Sequence, residues 1–240
     1  MADKTFVFDL DDTLIPNQHL YNLAIVDFQR YILEKTGYRS PHPQTIVNLF
    51  VEMDVNAVKK LGFSIRRFPE TFVETFQKVS EIVGYHCTEE DLREVHRIGT
   101  KAFDIKPGLL DGAEMVLDFL AANDDELLLY TKGDAELQQK KIDLSEIQRW
   151  FTPAKTYIVK DKNSADLETI VRDRNKDKTF KVGNSIRSDV NPALAIGIKA
   201  IYIPCDTWAY ETKGMQFDKT NPRLFIFSDI KEIIANYGRL

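Results

Sequence analysis

The chain has 240 residues, of which 43% are apolar and 29% are charged. This composition is typical of a folded protein of one or two domains and excludes an intrinsically disordered chain. Its 32 basic and 37 acidic residues leave a formal charge of −5, which argues against a general nucleic-acid-binding protein. A small anionic substrate stays open, because a site can be locally positive on an acidic protein.

Membrane-span, disulfide and zinc-site signatures are absent from the sequence. No run approaches the ~18 consecutive apolar residues of a membrane span, and the first apolar stretch ends at Asp9, too early for a secretory signal. The two cysteines, Cys87 and Cys205, are far apart and belong to no metal-binding motif, so we expect free thiols. The sequence therefore predicts a cytoplasmic protein without a membrane or nucleic-acid partner. It does not indicate an oligomeric state.

Short β-branched and aromatic runs predict the strands of a sheet. They lie at residues 5–8, 127–130, 156–159, 179–182 and 200–203, with residues 224–227 as a candidate sixth strand. Apolar residues at helical spacing separate these runs, as in residues 111–122. Alternating strands and helices predict an α/β fold with a Rossmann-like parallel sheet covered on both faces.

The interval between the first two predicted strands is too long for one connection. It spans residues 9–126, whereas a whole βαβ unit takes roughly 30 residues. Four helices are predicted within it, at residues 20–36, 43–60, 66–83 and 88–103. Thr88 has the character of an N-cap before an acidic first turn. We therefore predict an α/β core of residues 1–15 and 106–240, with an all-helical cap at residues 16–105.

Three acidic residues, Asp9, Asp11 and Asp12, come directly after the first predicted strand. Side chains two positions apart in an extended segment point the same way, so Asp9 and Asp11 converge if that conformation persists. They lie where ligands bind in open α/β sheets, beyond the carboxyl ends of the strands. A divalent cation such as Mg²⁺ would relieve the repulsion among these carboxylates. A solvated acidic turn, or a cap for the next helix, is the alternative interpretation.

Polar residues follow the other predicted strands as well. They carry hydroxyl, ammonium, amide or carboxylate groups: Thr131 and Lys132, then Lys160 and Lys162, then Asn184, Ser185 and Asp189. Each one taken alone has an ordinary interpretation as a helix cap, a solvated loop or a turn. Taken together and in this order, they indicate a site at the edge of the sheet where the parallel strands end.

This ordered set resembles the haloacid dehalogenase (HAD) superfamily of phosphotransferases and hydrolases, and the resemblance covers nearly the whole chain. The first motif of that superfamily, DxDxT, matches residues 9–13, and the second, a Ser or Thr ending a strand, matches Thr131. The third, a lysine before a helix, matches Lys162 or, as the alternative, Lys160. The fourth, roughly GDS followed by an Asp, matches residues 183–189. A helical cap after the first motif characterises one large branch.

The resemblance implies a Mg²⁺-dependent phosphatase that hydrolyses a small phosphorylated metabolite through an aspartyl-phosphate intermediate. In this interpretation Asp9 is the nucleophile, and Asp11 is first the general acid and then the general base. Thr131 donates its hydroxyl to a phosphoryl oxygen. Lys162 neutralises negative charge on Asp9 and on the phosphoryl group.

The same resemblance implies binding groups for the phosphate and the metal. Backbone N–H groups around Leu10 and Lys132 complete the phosphate cradle, with Lys160 as the other candidate for the motif lysine. The implied Mg²⁺ ligands are Asp9, the backbone carbonyl of Asp11, Asp189 and Asn184. Phosphatases of this superfamily often carry Asp where this chain has Asn184. An amide keeps an oxygen and loses a charge, so we expect metal binding to depend more on Asp189.

Two other functions on the same fold stay open. A 2-haloacid dehalogenase-type hydrolase also needs an Asp nucleophile, but halide leaves without a proton, and dehalogenases of this superfamily lack the second acid of the DxD motif. Asp11 therefore favours a phosphatase. The other alternative is a non-catalytic binding protein.

Trp208 and Tyr210 follow the last core strand, where they either pack over the site entrance or form ordinary surface packing. The sequence does not identify the substrate.

Overall fold

A computed structural model describes residues 3–62, 64–105, 108–205 and 215–240. The chain divides into two compact units, one of Met1–Gln18 with Pro107–Leu240 and the other of His19–Lys106. Trp208 and Tyr210 lie outside the described residues, so the prediction for them stays a prediction. Within the described ranges, no helix is both long enough and apolar enough to span a membrane.

A six-stranded parallel sheet forms the centre of the first unit. Its strands are β1 (Thr5–Phe8), β2 (Glu126–Lys132), β3 (Thr156–Val159), β4 (Thr179–Gly183), β5 (Lys199–Tyr202) and β6 (Leu224–Ile226). They lie in the order β3-β2-β1-β4-β5-β6, and every neighbouring pair is parallel. The predicted α/β fold is confirmed, and the candidate sixth strand is present. Because the order reverses beside β1, the crevice of this sheet opens at the end of that strand.

Alternating side chains of the central strands build a core on each face of the sheet. Phe6 and Phe8 of β1 pack into one apolar cluster, and Val7 packs into the other. The β2 residues alternate in the same way, and all of these side chains are buried. Alternation follows from the two-residue period of a strand, and burial on both faces explains the nearly continuous apolar sequence of β1.

Helices cover both faces of the sheet. They are α5 (Ala113–Ala122), α6 (Ala135–Leu144), α7 (Ser164–Val171), α8 (Asn191–Ala195) and α9 (Glu232–Asn236). Helices α5 and α9 contribute side chains to the cluster around Phe6, whereas α7 and α8 contribute to the cluster around Val7. A π-helical turn, Ile186–Val190, precedes α8 and carries the end of the fourth predicted motif.

The second unit is helical in its described part. The helices are α1 (Gln18–Thr36), α2 (Pro43–Leu61), α3 (Arg67–Val83) and α4 (Glu89–Thr100). Phe28 and Phe50 pack against Phe72, with ring centroids 4.6 and 4.7 Å apart. Thr88 caps α4 as predicted, in a reciprocal capping box with Asp91. The four helices lie where the sequence predicts them, except that α4 ends at Thr100 and a 3₁₀ turn continues to Phe103.

Candidate active site

The carboxyl ends of β1, β2, β3 and β4 bring the predicted polar residues to one edge of the sheet. Asp9 follows β1 directly, and its backbone N–H donates to the carbonyl of Val182 on β4 over 2.9 Å. Thr131 lies near the end of β2, Lys162 follows β3, and Asn184 follows β4. This arrangement is a consequence of parallel strand order, because neighbouring strands end on the same side.

Lys162 joins two of the predicted acidic residues. Its Nζ atom lies 2.5 Å from Oδ1 of Asp9 and 2.8 Å from Oδ1 of Asp189, and all three residues are buried. Lys160, the alternative motif lysine, is exposed at the end of β3. The geometry therefore associates Lys162, and not Lys160, with the Asp9 carboxylate.

A second buried lysine, Lys181, contacts the same acidic cluster. It lies in the middle of β4, is fully buried, and places Nζ 2.9 Å from Oδ1 of Asp189 and 3.1 Å from the carbonyl of Val182. Sequence reasoning did not assign Lys181 to the site. The sequence did contain a signal for Lys181, namely a charged residue inside a strand that is buried on both faces. A buried ammonium needs a partner of opposite charge.

The four charged groups of this cluster, two carboxylates and two ammonium groups, shift one another's pKa values. Burial raises the pKa of Asp9 to about 6, although Lys162 opposes that shift. Burial has the same tendency at Asp189, but Lys162 and Lys181 outweigh it and hold the pKa of Asp189 well below its usual range. Burial lowers the pKa of Lys181 to about 8, whereas Asp189 and Asp9 outweigh burial at Lys162 and raise its pKa.

Gly183 is required by the close approach of Asp189. The carboxylate of Asp189 folds back over Gly183, so that a methyl group at this position would overlap the carboxylate. The backbone N–H of Ser185 donates to Oδ2 of Asp189 over 3.1 Å. The glycine of the fourth motif therefore leaves space for a carboxylate that is held from three sides.

Asp11 is held by two side chains of α6 that the sequence did not indicate. Lys141 donates to Oδ1 of Asp11 over 2.7 Å, and Gln138 donates to Oδ2 over 3.0 Å. The same Gln138 amide nitrogen lies 2.6 Å from the hydroxyl of Thr131. Asp11, in the turn after β1, and Thr131, on β2, are therefore linked through one helix.

Asp12 has a different role from its two acidic neighbours. Its carboxylate accepts hydrogen bonds from the backbone N–H groups of Asn17 and Gln18, where α1 begins. Asp12 also adopts a φ of 57°, in the left-handed region that Asp tolerates better than most residues. The alternative interpretation of the acidic run, a helix cap, therefore holds for Asp12.

The predicted substrate-binding residues have distinct surroundings. The carbonyl of Leu10 accepts from the N–H groups of Leu14 and Ile15 over 2.9 and 3.1 Å, which forms the tight turn after β1. Lys132 is partly buried and donates to the hydroxyl of Ser188 over 2.7 Å. This contact links the end of β2 to the π-helical turn that carries Asp189.

The donor atoms next to Asp9 fit a magnesium ion in their chemistry. The hydroxyl of Thr13 lies 3.5 Å from both Oδ2 of Asp9 and Oδ1 of Asn184, so these two oxygens face one region. Carboxylate and amide oxygens are ligands that Mg²⁺ accepts. Both contacts with Thr13 are long and weak, which leaves the two oxygens available.

Asp189 differs from the other predicted metal ligands. Two ammonium groups and one N–H occupy three of the roughly four lone-pair positions of its carboxylate. Among the described residues, no three His, Cys, Asp or Glu side chains are arranged as a metal centre. The Asp189 carboxylate is thus more fully occupied than Oδ1 of Asn184, and the metal ligands inferred from the sequence stay predictions.

Comparison with known proteins places the fold. No protein-family model and no curated protein matches the chain. Among solved structures, a haloacid dehalogenase-like family hydrolase from Xanthomonas campestris aligns with 99% of this chain and 94% of its own, at 24% identity and a TM-score of 0.74. A 2-haloacid dehalogenase from Pseudomonas syringae aligns with 100% and 99%, at 15% identity and a TM-score of 0.58.

A predicted phosphoglycolate phosphatase from Haemophilus somnus is also similar, over 98% of this chain and 97% of its own, at 14% identity and a TM-score of 0.54. The chain therefore has the fold of the HAD-like hydrolases, as the resemblance of its motifs implied. Both dehalogenases and phosphatases occur among the structures with this fold, so the fold by itself does not select the reaction.

Proposed function

We propose that the protein is a Mg²⁺-dependent phosphatase that hydrolyses a small phosphate monoester through an aspartyl-phosphate intermediate. The observation that carries this proposal is the separate tethering of two carboxylates at one sheet edge. Asp9 is held by Lys162, whereas Asp11 is held by α6 and linked to the hydroxyl of Thr131. A nucleophile and a separate acid/base group are what a two-step phosphoryl transfer requires.

In the first step, an oxygen of Asp9 attacks phosphorus and the bond from phosphorus to the leaving oxygen breaks. Lys162 holds the Asp9 carboxylate at Oδ1 and so orients it for this attack. Asp11 in its acid form gives a proton to the leaving alkoxide. The Thr131 hydroxyl donates to a phosphoryl oxygen, which aligns the group for attack.

In the second step, water attacks the phosphorus of the aspartyl-phosphate. Asp11 is now ionised and takes the proton of that water, while the bond between Asp9 and phosphorus breaks. Inorganic phosphate leaves and the Asp9 carboxylate is restored. In this step Lys141 lies 2.7 Å from Oδ1 of Asp11 and pairs with its negative charge.

Charge compensation is the other requirement of phosphoryl transfer. Asp9 and Asp189 carry two negative charges, and Lys162 and Lys181 carry two positive charges, so the cluster is close to neutral when all four are ionised. A phosphate would add negative charge that this balance does not cancel. We assign Mg²⁺ to Asp9, the carbonyl of Asp11 and Asn184, where it would supply positive charge to the phosphoryl oxygens.

One observation favours a dehalogenase-type reaction as the second candidate. Both oxygens of Asp11 already accept hydrogen bonds from side chains of α6, and dehalogenation needs no proton from Asp11. In that reaction Asp9 would displace halide from carbon, and water would then hydrolyse the ester. The third candidate, a non-catalytic binding protein, predicts neither product.

One set of assays separates the three candidates. A panel of phosphorylated metabolites is incubated with the protein and Mg²⁺, and 2-haloacids are incubated with the same preparation, while phosphate and halide release are measured. We expect phosphate release that ends after verified metal removal and returns with Mg²⁺. Halide release alone would establish the dehalogenase, and phosphate release that survives metal removal would refute the metal assignment.

Asp9→Asn provides the matched test of the nucleophile. The change removes the attacking charge at nearly constant volume, so we expect phosphate release at background level with the unfolding transition preserved. Asp173→Asn, at an exposed carboxylate, controls for the loss of one charge. Activity near that of the unaltered protein in Asp9→Asn would place the nucleophile elsewhere.

The proposal also retains two predictions from the sequence. We propose that residues 16–105 act as a cap that selects the substrate, and that the protein is cytoplasmic. Exchange of this helical segment for that of a phosphatase with a different known substrate tests the first. The substrate preference should follow the exchanged segment, and an unchanged preference would assign substrate selection to the α/β unit.

A further inference from the structure

Gln138 contacts two groups of the proposed mechanism and belongs to none of the predicted motifs. It lies in the first part of α6, is 1% exposed, and places Nε2 3.0 Å from Oδ2 of Asp11 and 2.6 Å from Oγ1 of Thr131. An ionised carboxylate only accepts hydrogen bonds, so the Gln138 atom facing Asp11 is the amino nitrogen. This nitrogen has two N–H groups, one for each partner.

The contact with Gln138 determines where the Thr131 proton points. A hydroxyl has one proton to donate and can accept other hydrogen bonds. Because Thr131 accepts from Gln138, its own proton is directed away from Gln138. In the proposed reaction that proton is available for a phosphoryl oxygen.

The contact with Gln138 also restricts the carboxylate of Asp11. Lys141 fixes Oδ1, and Gln138, one helical turn earlier on the same helix, fixes Oδ2. Two buried donors on one helix hold both oxygens, so rotation of the carboxylate would leave at least one of these donors without its partner. Loss of a partner at a buried polar group is costly, which favours a single orientation.

The local chain keeps Gln138 in place. Asp134 caps α6 by accepting from the N–H groups of Glu136 and Leu137, and this fixes the first turn of the helix. A methyl group on Gly133 would lie 3.3 Å from the Gln138 side chain, in tight contact, so the glycine allows the close packing of strand end and helix. Gly133 also has a φ of 145°, which favours glycine.

We propose that Gln138 is a positioning residue that orients Asp11 and Thr131 as one unit. This inference rests on the proposed phosphatase function and deepens it, because it adds a residue that acts through two catalytic side chains without contacting the substrate. It also predicts that α6, and not only the strand ends, determines the geometry of the site.

The test uses Gln138→Met, which keeps the side-chain length and removes the amide. Gln139→Met is the matched control, because Gln139 is the next residue of the same helix, is exposed and donates to the exposed Asp143 carboxylate. We expect Gln138→Met to lower kcat for an alkyl phosphate by between about tenfold and a hundredfold, as misplacement of catalytic groups does. Gln139→Met should leave kcat unchanged.

A double-mutant cycle distinguishes positioning from a general structural effect. Gln138→Met is combined with Thr131→Val, with Asp11→Asn and with both changes together, and the first step is followed by rapid quench with an alkyl phosphate. If Gln138 acts through these residues, its substitution should cost less in each single altered background than in the unaltered protein, and less than about threefold when both residues are changed. Equal losses in every background would overturn the proposal.

A second readout separates this inference from the proposed function. The same cycles are measured on the free energy of unfolding, which needs no substrate, and the Gln138–Thr131 and Gln138–Asp11 pairs should each show coupling. Absence of coupling overturns the positioning role whatever the activity. If coupling is found but the unaltered protein releases no phosphate, the proposed function fails and the contact itself stands.

Discussion

Lys181 and Lys162 donate to the same carboxylate oxygen, Oδ1 of Asp189, although Lys181 lies inside a sheet strand and Lys162 follows a different one. Lys181 is fully buried, so its ammonium is separated from water and depends on Asp189 for compensation. Lys181 holds the Asp189 carboxylate from within β4, and Lys162 connects that carboxylate to Asp9. Asp189 is therefore the centre of a charge network that extends from the sheet core to Asp9.

Lys181→Met should change how stability depends on pH. Burial lowers the pKa of Lys181 to about 8 in the folded protein, below the usual value for an unfolded lysine of about 10.4. Between these values the unfolded state binds more protons, so the free energy of unfolding gains a contribution that rises with pH. We expect the free energy of unfolding of the unaltered protein, minus that of the variant, to increase from about pH 8 to about pH 10.

Urea unfolding at several pH values measures that difference. Lys178→Met, at a half-exposed lysine just before β4, controls for the loss of one surface charge. A difference that stays constant over this pH range would show that Lys181 keeps its proton in the folded protein.

Gly183→Ala should disturb the position of Asp189. The added methyl group would overlap the carboxylate, which cannot move without breaking contacts to Lys162, Lys181 or Ser185. Overpacking of this kind costs typically about 1–3 kcal/mol in the free energy of unfolding. We also expect lower phosphate release, because Lys162 is tied to the displaced carboxylate.

Gly238→Ala is the matched control, since a methyl group at Gly238 has no heavy atom within 4 Å. Thermal unfolding and phosphate release are measured for both variants. Equal stability of the two would mean that Asp189 has another position of similar energy.

The carboxyl group of Asp9 should titrate near pH 6 in the metal-free protein. Burial favours its neutral form and raises the pKa to about 6, while Lys162 favours the ionised form. Lys162→Met should therefore raise the pKa of Asp9 further. Carboxyl ¹³C NMR measures both values, with Asp9→Asn identifying the resonance, and a pKa that falls on loss of Lys162 would contradict the assigned contact.

Asp11→Asn should affect substrates according to their leaving group. An alkoxide leaves poorly without a proton, whereas a nitrophenolate hardly needs one, and general acid catalysis contributes typically about 10²–10⁴-fold. The first step should slow within that range for an alkyl phosphate and less for nitrophenyl phosphate. Because Asp11 is also the base in the proposed second step, the aryl ester should give a burst of nitrophenol followed by slow turnover.

Rapid-quench measurements on both esters compare the first steps. Asp12→Asn is not a neutral control, since Asp12 caps α1, so Asp173→Asn at an exposed carboxylate is used instead. Equal slowing for the two esters, without a burst, would assign Asp11 a structural role.

The sequence by itself determined the strands and the residue types at their ends. The β1 run has four apolar or β-branched residues followed by Asp9, and a parallel sheet follows from alternating strands and helices. Sequence also indicated that Asp9, Thr131, Lys162 and Asn184 would share one edge. These features depend on local residue patterns, which can be seen in the sequence, and on the rule that neighbouring parallel strands end on the same side of a sheet.

Only the tertiary structure decided which polar groups pair. Lys162 and Asp9 are 153 positions apart, and the contacts of Gln138 and Lys141 with Asp11 span 127 and 130 positions. Lys160 and Lys162 have the same residue type and neighbouring positions, and the chain after β3 buries one and exposes the other. Such pairings depend on distances between elements and on the cost of leaving a buried charge without a partner, and neither can be obtained from residue spacing.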